Sequence, residues 1–287
     1  AAMMRPVGLG PMHEAYPGRV IDVGIAEAEA VASAAGMAYQ GAHPVVALYA
    51  TFLNRGFDQL LMDVALHRAG VTVVLDRAGV TGADGASHNG VWDIAMCSMI
   101  PGLRLAAPRD EETLRARLRE ALDVDDAPTV IRYRKGALPE PMPALRSVGG
   151  VDILFDEAVA DSSARVLIVG TGACAPDAIE AARRLAAGGV SVTVADPQWM
   201  IPVCPELATL AHDYDCVVSV EDGIVQGGFG WALRDAVAEA GVPVRCLGVP
   251  QGFPEHGDRA AMIAQFGFDA DGIERAAREL VERIGER

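Results

Sequence analysis

Fifteen residues from Asp76 to Gly90 read DRAGVTGADGASHNG and follow the apolar run VTVVL. Arg77, Asp84 and His88 bring a guanidinium, a carboxylate and an imidazole into one short segment, a set able to bind an anion and to move a proton. The four glycines among them let a backbone approach a ligand closely. The expected occupant is small and anionic. Three further groups have comparable chemistry. Glu27 falls in the first turn after RVIDVG, where it either complements the helix dipole, worth about 0.3–1 kcal/mol, or serves as a buried acid in a crevice. Glu29, two residues on, faces elsewhere. Tyr49, Phe52 and Arg55 follow PVVAL at i, i+3 and i+6, and read either as core or as a cleft wall made of flat rings and a cation. Arg132, Arg134 and Lys135 follow PTVI as a basic cluster or as a solvated linker face.

These groups need one scaffold to converge, and the chain pattern supplies it. Short β-branched runs alternate with Ala-rich amphipathic stretches: RVIDVG, PVVALYA, VTVVLD, LRLAAP and PTVIRY in one half, then ARVLIVG, VSVTVAD, CVVSVED and VPVRCLG in the other. Between them lie helical patterns such as AEAEAVASAAGMAYQG, NRGFDQLLMDVALHRAG, DEETLRARLREAL and APDAIEAARRLAAGG. This rhythm predicts an α/β fold of two doubly wound, mostly parallel sheet domains. The Pro- and Gly-rich stretch KGALPEPMPALRSVGG marks a break. The domains are expected at 1–138 and 150–287, with a linker at 139–149, and the first domain reads as lacking its first strand. Ligands of open α/β sheets bind outside the carboxyl ends of the strands, which is where each chemical group falls. VGTGACAPDA and VEDGIVQGGFG are better explained as tight turns and close packing than as phosphate loops. Asp196, Pro197 and Trp199 follow a strand and are expected at a domain or subunit contact.

Bulk properties narrow the class. Of 287 residues, 51% are hydrophobic, and the net charge is −15. Such an acidic chain argues against nucleic acid or an anionic membrane as partner, so an anionic substrate must be held by local cations. No apolar run is long enough to span a bilayer. Five cysteines are scattered without a C-x-x-C pair, a pattern of reduced thiols that points to the cytoplasm.

The segments DVGIAE, PVVALYATFLNRGFDQLLMDVAL, DRAGVTGADGASHNGVWD and VEDGIVQGGFG together resemble the 1-deoxy-D-xylulose-5-phosphate synthase family of the transketolase superfamily, over nearly the whole chain. The resemblance implies a transketolase-like pyrimidine-binding domain followed by a transketolase C-terminal domain. It implies thiamin diphosphate and Mg2+ as cofactors, pyruvate and glyceraldehyde 3-phosphate as substrates, and a homodimer. Glu27 matches the acid on the aminopyrimidine nitrogen, which favours the imino tautomer that deprotonates the thiazolium. Phe52 matches the ring stacked on the pyrimidine. Tyr49, Arg55, Arg77, Asp84, His88 and Lys135 match residues around the substrate, with Arg77 suited to clamp a phosphate and His88 to act in catalysis. Two positions depart from the family. AEAE stands where A-E-Q-H is usual, and Lys135 in RYRKG stands where the family has arginine, keeping the charge without the bidentate fork. G-D-G with its downstream Asn, the metal–diphosphate signature of the superfamily, is not found in these residues, so metal and diphosphate are expected on a separate domain or chain. The alternatives are a β-type subunit of another thiamin-diphosphate enzyme and a non-catalytic relative.

Overall fold

The computed structural model describes residues 1–286. Strands β1 (Val45–Tyr49), β2 (Thr72–Asp76), β3 (Arg104–Ala106) and β4 (Thr129–Arg132) form a four-stranded sheet in the order β1-β2-β4-β3, parallel throughout. Strands β5 (Arg146–Val148), β6 (Val151–Glu157), β7 (Arg165–Gly170), β8 (Ser191–Pro197), β9 (Cys216–Ile224) and β10 (Val244–Val249) form a second sheet in the order β10-β9-β7-β8-β6-β5. There β10, β9, β7 and β8 run parallel, while β6 and β5 are added antiparallel. The parallel strands are unbroken Val/Ile/Leu runs because helices cover both faces. In β7, residues 166–169 are all completely buried. The fold is thus α/β with two mostly parallel sheets.

Local structure departs from the sequence pattern in four places, the first being strand β6 (Val151–Glu157), which the pattern did not mark and which pairs antiparallel with β8. RVIDVG forms no ladder. Instead the Ala1 amine donates to the Ile21 carbonyl at 2.7 Å, the Val23 amide donates to Ala1 at 3.0 Å, and the Ala2 amide reaches the Ala47 carbonyl of β1 at 3.2 Å. The first residues therefore lie between that segment and the sheet. The helix expected over NRGFDQLLMDVALHRAG is a 3-10 segment (Ala50–Arg55), one turn at Phe57–Gln59 and a π-helical stretch (Leu60–Ala65). Gly56 sits at the junction, where a Cβ would lie 3.0 Å from Val31 and 3.3 Å from the Glu27 carbonyl, so the chain turns hard against the helix Glu27–Ala38. Residues 146–148, within the stretch read as linker, form the edge strand β5. All three are exposed, so they carry no apolar periodicity.

The two sheets share one packed cluster, while a second cluster, with Val166, Ile168, Val218 and Ile273, covers the other face of the second sheet. Val73, Leu75 and Leu105 of the first belong to the same packed cluster as Ile153, Leu167, Val169, Met200 and Phe229 of the second. Leu105 donates its amide to Ile201 at 2.9 Å and accepts from the Met200 amide at 2.8 Å, which covers the outer edge of β3. A buried ion cluster crosses the same seam, with Arg109 bonded to Asp152 at 2.8 Å and Asp196 at 3.0 Å. Burial pushes the Asp196 carboxyl up to about 7 against the pull of Arg109. Trp199 donates its indole N–H to Glu120 at 2.9 Å and stacks under Arg104 at 4.5 Å, a contact between the sheets. Gly172, in the G-x-G turn, packs on Ala107, where a Cβ would come within 2.7 Å of the carbonyl.

Candidate active site

Glu27 begins the helix Glu27–Ala38, whose cap residue Ala26 provides no side-chain acceptor. Its carboxylate is 2% exposed. One oxygen, Oε2, is 3.8 Å from the Arg55 guanidinium; the other, Oε1, is buried without a hydrogen-bond partner among the described residues. Leaving such an acceptor idle costs about 1–3 kcal/mol. A buried oxygen of this kind is a ready partner for a ligand N–H.

The end of β1 delivers a set of stacked groups beside it. Tyr49 and Phe52 lie nearly parallel, with ring centroids 6.2 Å apart, and His88 meets Phe52 edge-on at 5.5 Å. The Arg55 guanidinium lies 5.0 Å over Phe52 and that of Arg77 4.2 Å over Tyr49. Each such pair adds about 0.5–1 kcal/mol where exposed, more where desolvated. The Thr51 hydroxyl donates to the Ser87 carbonyl at 2.9 Å, which fastens the 3-10 segment to the Gly-rich loop, and the Ser87 hydroxyl is 2.8 Å from His88 Nδ1. Tyr49, Phe52, Arg55, Arg77 and His88 therefore form one wall.

Arg77 leaves β2 with φ +60°, a left-handed conformation rare for a residue with a Cβ and costing about 1–2 kcal/mol. Lys135, beyond β4, donates two hydrogen bonds to Asp84, at 2.7 and 2.9 Å, and Arg77 Nη1 lies 3.8 Å from the same carboxylate. The hydrogen bond from Lys135, with both cations nearby, holds the Asp84 carboxyl below its usual range. The two cations thus already converge on one anionic group. Arg132 is different. It is buried, bonded to Asp93 at 2.7 and 3.2 Å, and donates to the Asp222 carbonyl, so it serves the fold. Burial raises the Asp93 carboxyl, against Arg132. A cavity of about 330 Å³, lined by Asp76, Tyr133, Arg134 and residues 136–139, adjoins this edge of the sheet, but none of Glu27, Phe52 and His88 lines it. The groups singled out for chemistry lie on the wall of stacked groups, outside that cavity.

Asn89, Asp222 and Arg259 hold the Gly-rich loop but did not stand out in the sequence. Asn89 reads as one more turn residue, and the other two lie in the second half of the chain. Among the described residues there is no group of three or more His, Cys, Asp or Glu placed to hold a metal, and no helix long and apolar enough to cross a membrane. All five cysteines are free.

Comparison with known proteins decides the family. The model of the transketolase pyrimidine binding domain matches residues 1–141, and that of the transketolase C-terminal domain matches residues 157–273. The chain belongs to the transketolase family. Within that family it is 54% identical to 1-deoxy-D-xylulose-5-phosphate synthase 2 of Kitasatospora griseola over 98% of its length and 51% identical to 1-deoxy-D-xylulose-5-phosphate synthase of Corynebacterium glutamicum strain R over 96%. The transketolase-family chain spans about 45% of the length of those relatives. A solved structure described as a split gene transketolase, inactive beta4 tetramer, superposes with a TM-score of 0.79 and 28% identity, covering 94% of this chain and 86% of that one.

Proposed function

We propose that this chain forms the pyrimidine-binding and C-terminal part of a thiamin-diphosphate-dependent 1-deoxy-D-xylulose-5-phosphate synthase. That enzyme joins pyruvate to glyceraldehyde 3-phosphate with loss of carbon dioxide, the first step of non-mevalonate isoprenoid synthesis. The observation that carries the reading is the idle, buried Oε1 of Glu27, whose carboxylate neighbours the Arg55 guanidinium that lies over the flat ring of Phe52. A protonated or hydrogen-bonding aminopyrimidine nitrogen fits the Glu27 oxygen, and its ring face fits Phe52. When bound, thiamin diphosphate supplies the carbon nucleophile that adds to pyruvate and the sink for the electron pair as carbon dioxide leaves. Glu27 holds a proton against the aminopyrimidine nitrogen and fixes its tautomer. Tyr49, Phe52 and His88 wall the crevice from water, and the half-buried His88 imidazole exchanges protons with the aldehyde oxygen. Arg77 and Lys135 take the phosphate, displacing Asp84 from between them. Arg55, beside Glu27, offsets the carboxylate's charge.

Magnesium and the diphosphate are assigned to a G-D-G-bearing segment, on the same polypeptide or another. The working enzyme is a cytoplasmic homodimer of the assembled parts. The like-folded split-gene transketolase is described as an inactive tetramer of β chains, which supports the expectation that these residues alone turn nothing over. Calorimetry with thiamin diphosphate and magnesium tests this. Binding weaker than micromolar is expected for the isolated chain, with synthase activity restored by adding the G-D-G-bearing segment of a related synthase. Micromolar or tighter binding by the isolated chain overturns the division of labour, and inactivity of the complemented protein overturns the function.

A further inference from the structure

The Gly-rich loop is held from outside its own sheet. The Val80 amide donates to Asp222 Oδ1 at 2.9 Å, and the Val80 carbonyl accepts from Arg259 Nε at 3.0 Å. Arg259 and Asp222 also bond to each other at 2.6 Å, so one peptide unit on each side of Val80 closes a ring of three contacts. Asp222 lies in β9 and is 1% exposed; Arg259 opens the helix Arg259–Phe266. Both belong to the second sheet and its helices.

The neighbouring backbone packs to match. The Gly257 amide donates to the Gly82 carbonyl at 3.3 Å, and a Cβ on Gly82 would come within 2.6 Å of the Gly257 carbonyl. A Cβ on Gly79 would run into the Asp222 carboxylate. Here the glycines serve close approach between two parts of the molecule. At the loop's far end the buried Asn89 accepts from the Thr81 and Gly82 amides at 2.8 and 3.2 Å, and its amide reaches the Gly85 carbonyl at 3.1 Å and the Pro254 carbonyl at 3.5 Å. Both feet of the loop that carries Asp84 and His88 therefore rest on the second half of the chain, one on β9 and the start of the helix Arg259–Phe266, the other on the Pro254 carbonyl.

We infer that Asp222 and Arg259 are positioning residues for the aldehyde site, acting through Val80 to fix the Arg77–His88 loop. Neither touches the wall of stacked groups. Their charge-assisted bonds go to backbone, so they set the loop's path whatever its side chains. With the path fixed, Asp84 stays within reach of Lys135, and His88 stays against Phe52. In kinetic terms this rests on the proposed function; in structural terms it does not.

Arg259→Ala and Asp222→Asn test it by amide hydrogen exchange and by steady-state kinetics of the complemented enzyme. Loss of one charge-assisted bond corresponds to about tenfold or more. Exchange across residues 79–82 is expected to quicken by at least that factor, with β7 and β8 unchanged. KM for glyceraldehyde 3-phosphate should rise about tenfold on the same basis, while affinity for thiamin diphosphate stays at the wild-type value. Arg259→Lys, which keeps the pair with Asp222 but loses the fork, should recover part of both effects. If Arg259→Ala does not fold, Asp222→Asn, nearly equal in shape, carries the same readouts in weaker form. Wild-type exchange at 79–82 in the folded variants, or a fall in cofactor affinity to match the KM, overturns the inference. A wild-type protein that stays inactive when complemented defeats the functional reading, and the exchange measurement still decides the role of the pair.

Discussion

Asp84 lies between Arg77 and Lys135, so under the proposed function recognition of the phosphorylated aldehyde would exchange one anion for another. Because these cations hold its carboxyl below the usual range, Asp84 stays charged at neutral pH. Under the proposed function Arg77 would offer two parallel donors to the phosphate, and bonds of that kind contribute about 1.5–3 kcal/mol. Arg77→Ala should therefore lower kcat/KM for glyceraldehyde 3-phosphate roughly 10- to 150-fold in the complemented enzyme and affect unphosphorylated glyceraldehyde far less. A ratio between the two aldehydes that does not move removes Arg77 from phosphate recognition. Lys135→Ala should act in the same direction more mildly, since Lys135 is a point charge. Glu27→Gln keeps the shape of the side chain but not its charge. Turnover should fall by about 10²–10⁴-fold, the usual share of a positioned acid or base, with the melting temperature near the wild-type value because Oε1 has no hydrogen-bond partner to lose. Proton exchange at the thiazolium carbon reports this directly. An unchanged rate assigns Glu27 to the helix dipole.

At the scale of elements, the helix Phe229–Ala236 depends on a carboxyl outside it. Glu221 in β9, fully buried, accepts from the Phe229 and Gly230 amides at 2.8 and 2.9 Å. Burial pushes this carboxyl from 4.5 up to about 7, with the two amides pulling the other way. A folded-state pKa above the unfolded one gives stability that is complete below about 4.5 and is lost as pH rises through about 7. Denaturant unfolding of Glu221→Gln should show the variant gaining on wild type across that window, by an amount of the order of 1–3 kcal/mol. A constant difference counts against an ionisation at Glu221. These elements were unequally legible in the sequence. The parallel strands and the groups at their carboxyl ends could be read because β-branched runs stop at Asp76, Tyr49 and Arg132 with chemistry attached. The antiparallel edge strand β5 could not, since Arg146, Ser147 and Val148 are all exposed and form a strand only by pairing with β6. The 3-10 and π-helical course of residues 50–65 was hidden for another reason. Its residues favour a helix, and contact with the helix Glu27–Ala38 at Gly56 decides which kind. Asp222 and Arg259 were invisible because their partner is backbone far away in sequence, and no side-chain spacing encodes such a bond.

Taken whole, the molecule has two sheets joined by one packed cluster, with a second cluster on the far face of the second sheet. The cluster that joins Val73 and Leu105 to Leu167 and Phe229, reinforced by Arg109 on Asp152 and Asp196, leaves little for either half to do independently. Calorimetry should show one cooperative transition with equal calorimetric and van't Hoff enthalpies, and two resolved transitions would contradict the shared core. The Pro- and Gly-rich stretch between the sheets thus links parts that are already packed together. The contact of Leu105 with Met200 and Ile201 has one more consequence, for solubility. The outer edge of β3 is shielded by main chain from the other half, and a bare strand edge recruits further strands. Residues 1–141, produced alone, should expose that edge together with the apolar surface beneath it, and light scattering should find them in large particles where the full chain remains dispersed.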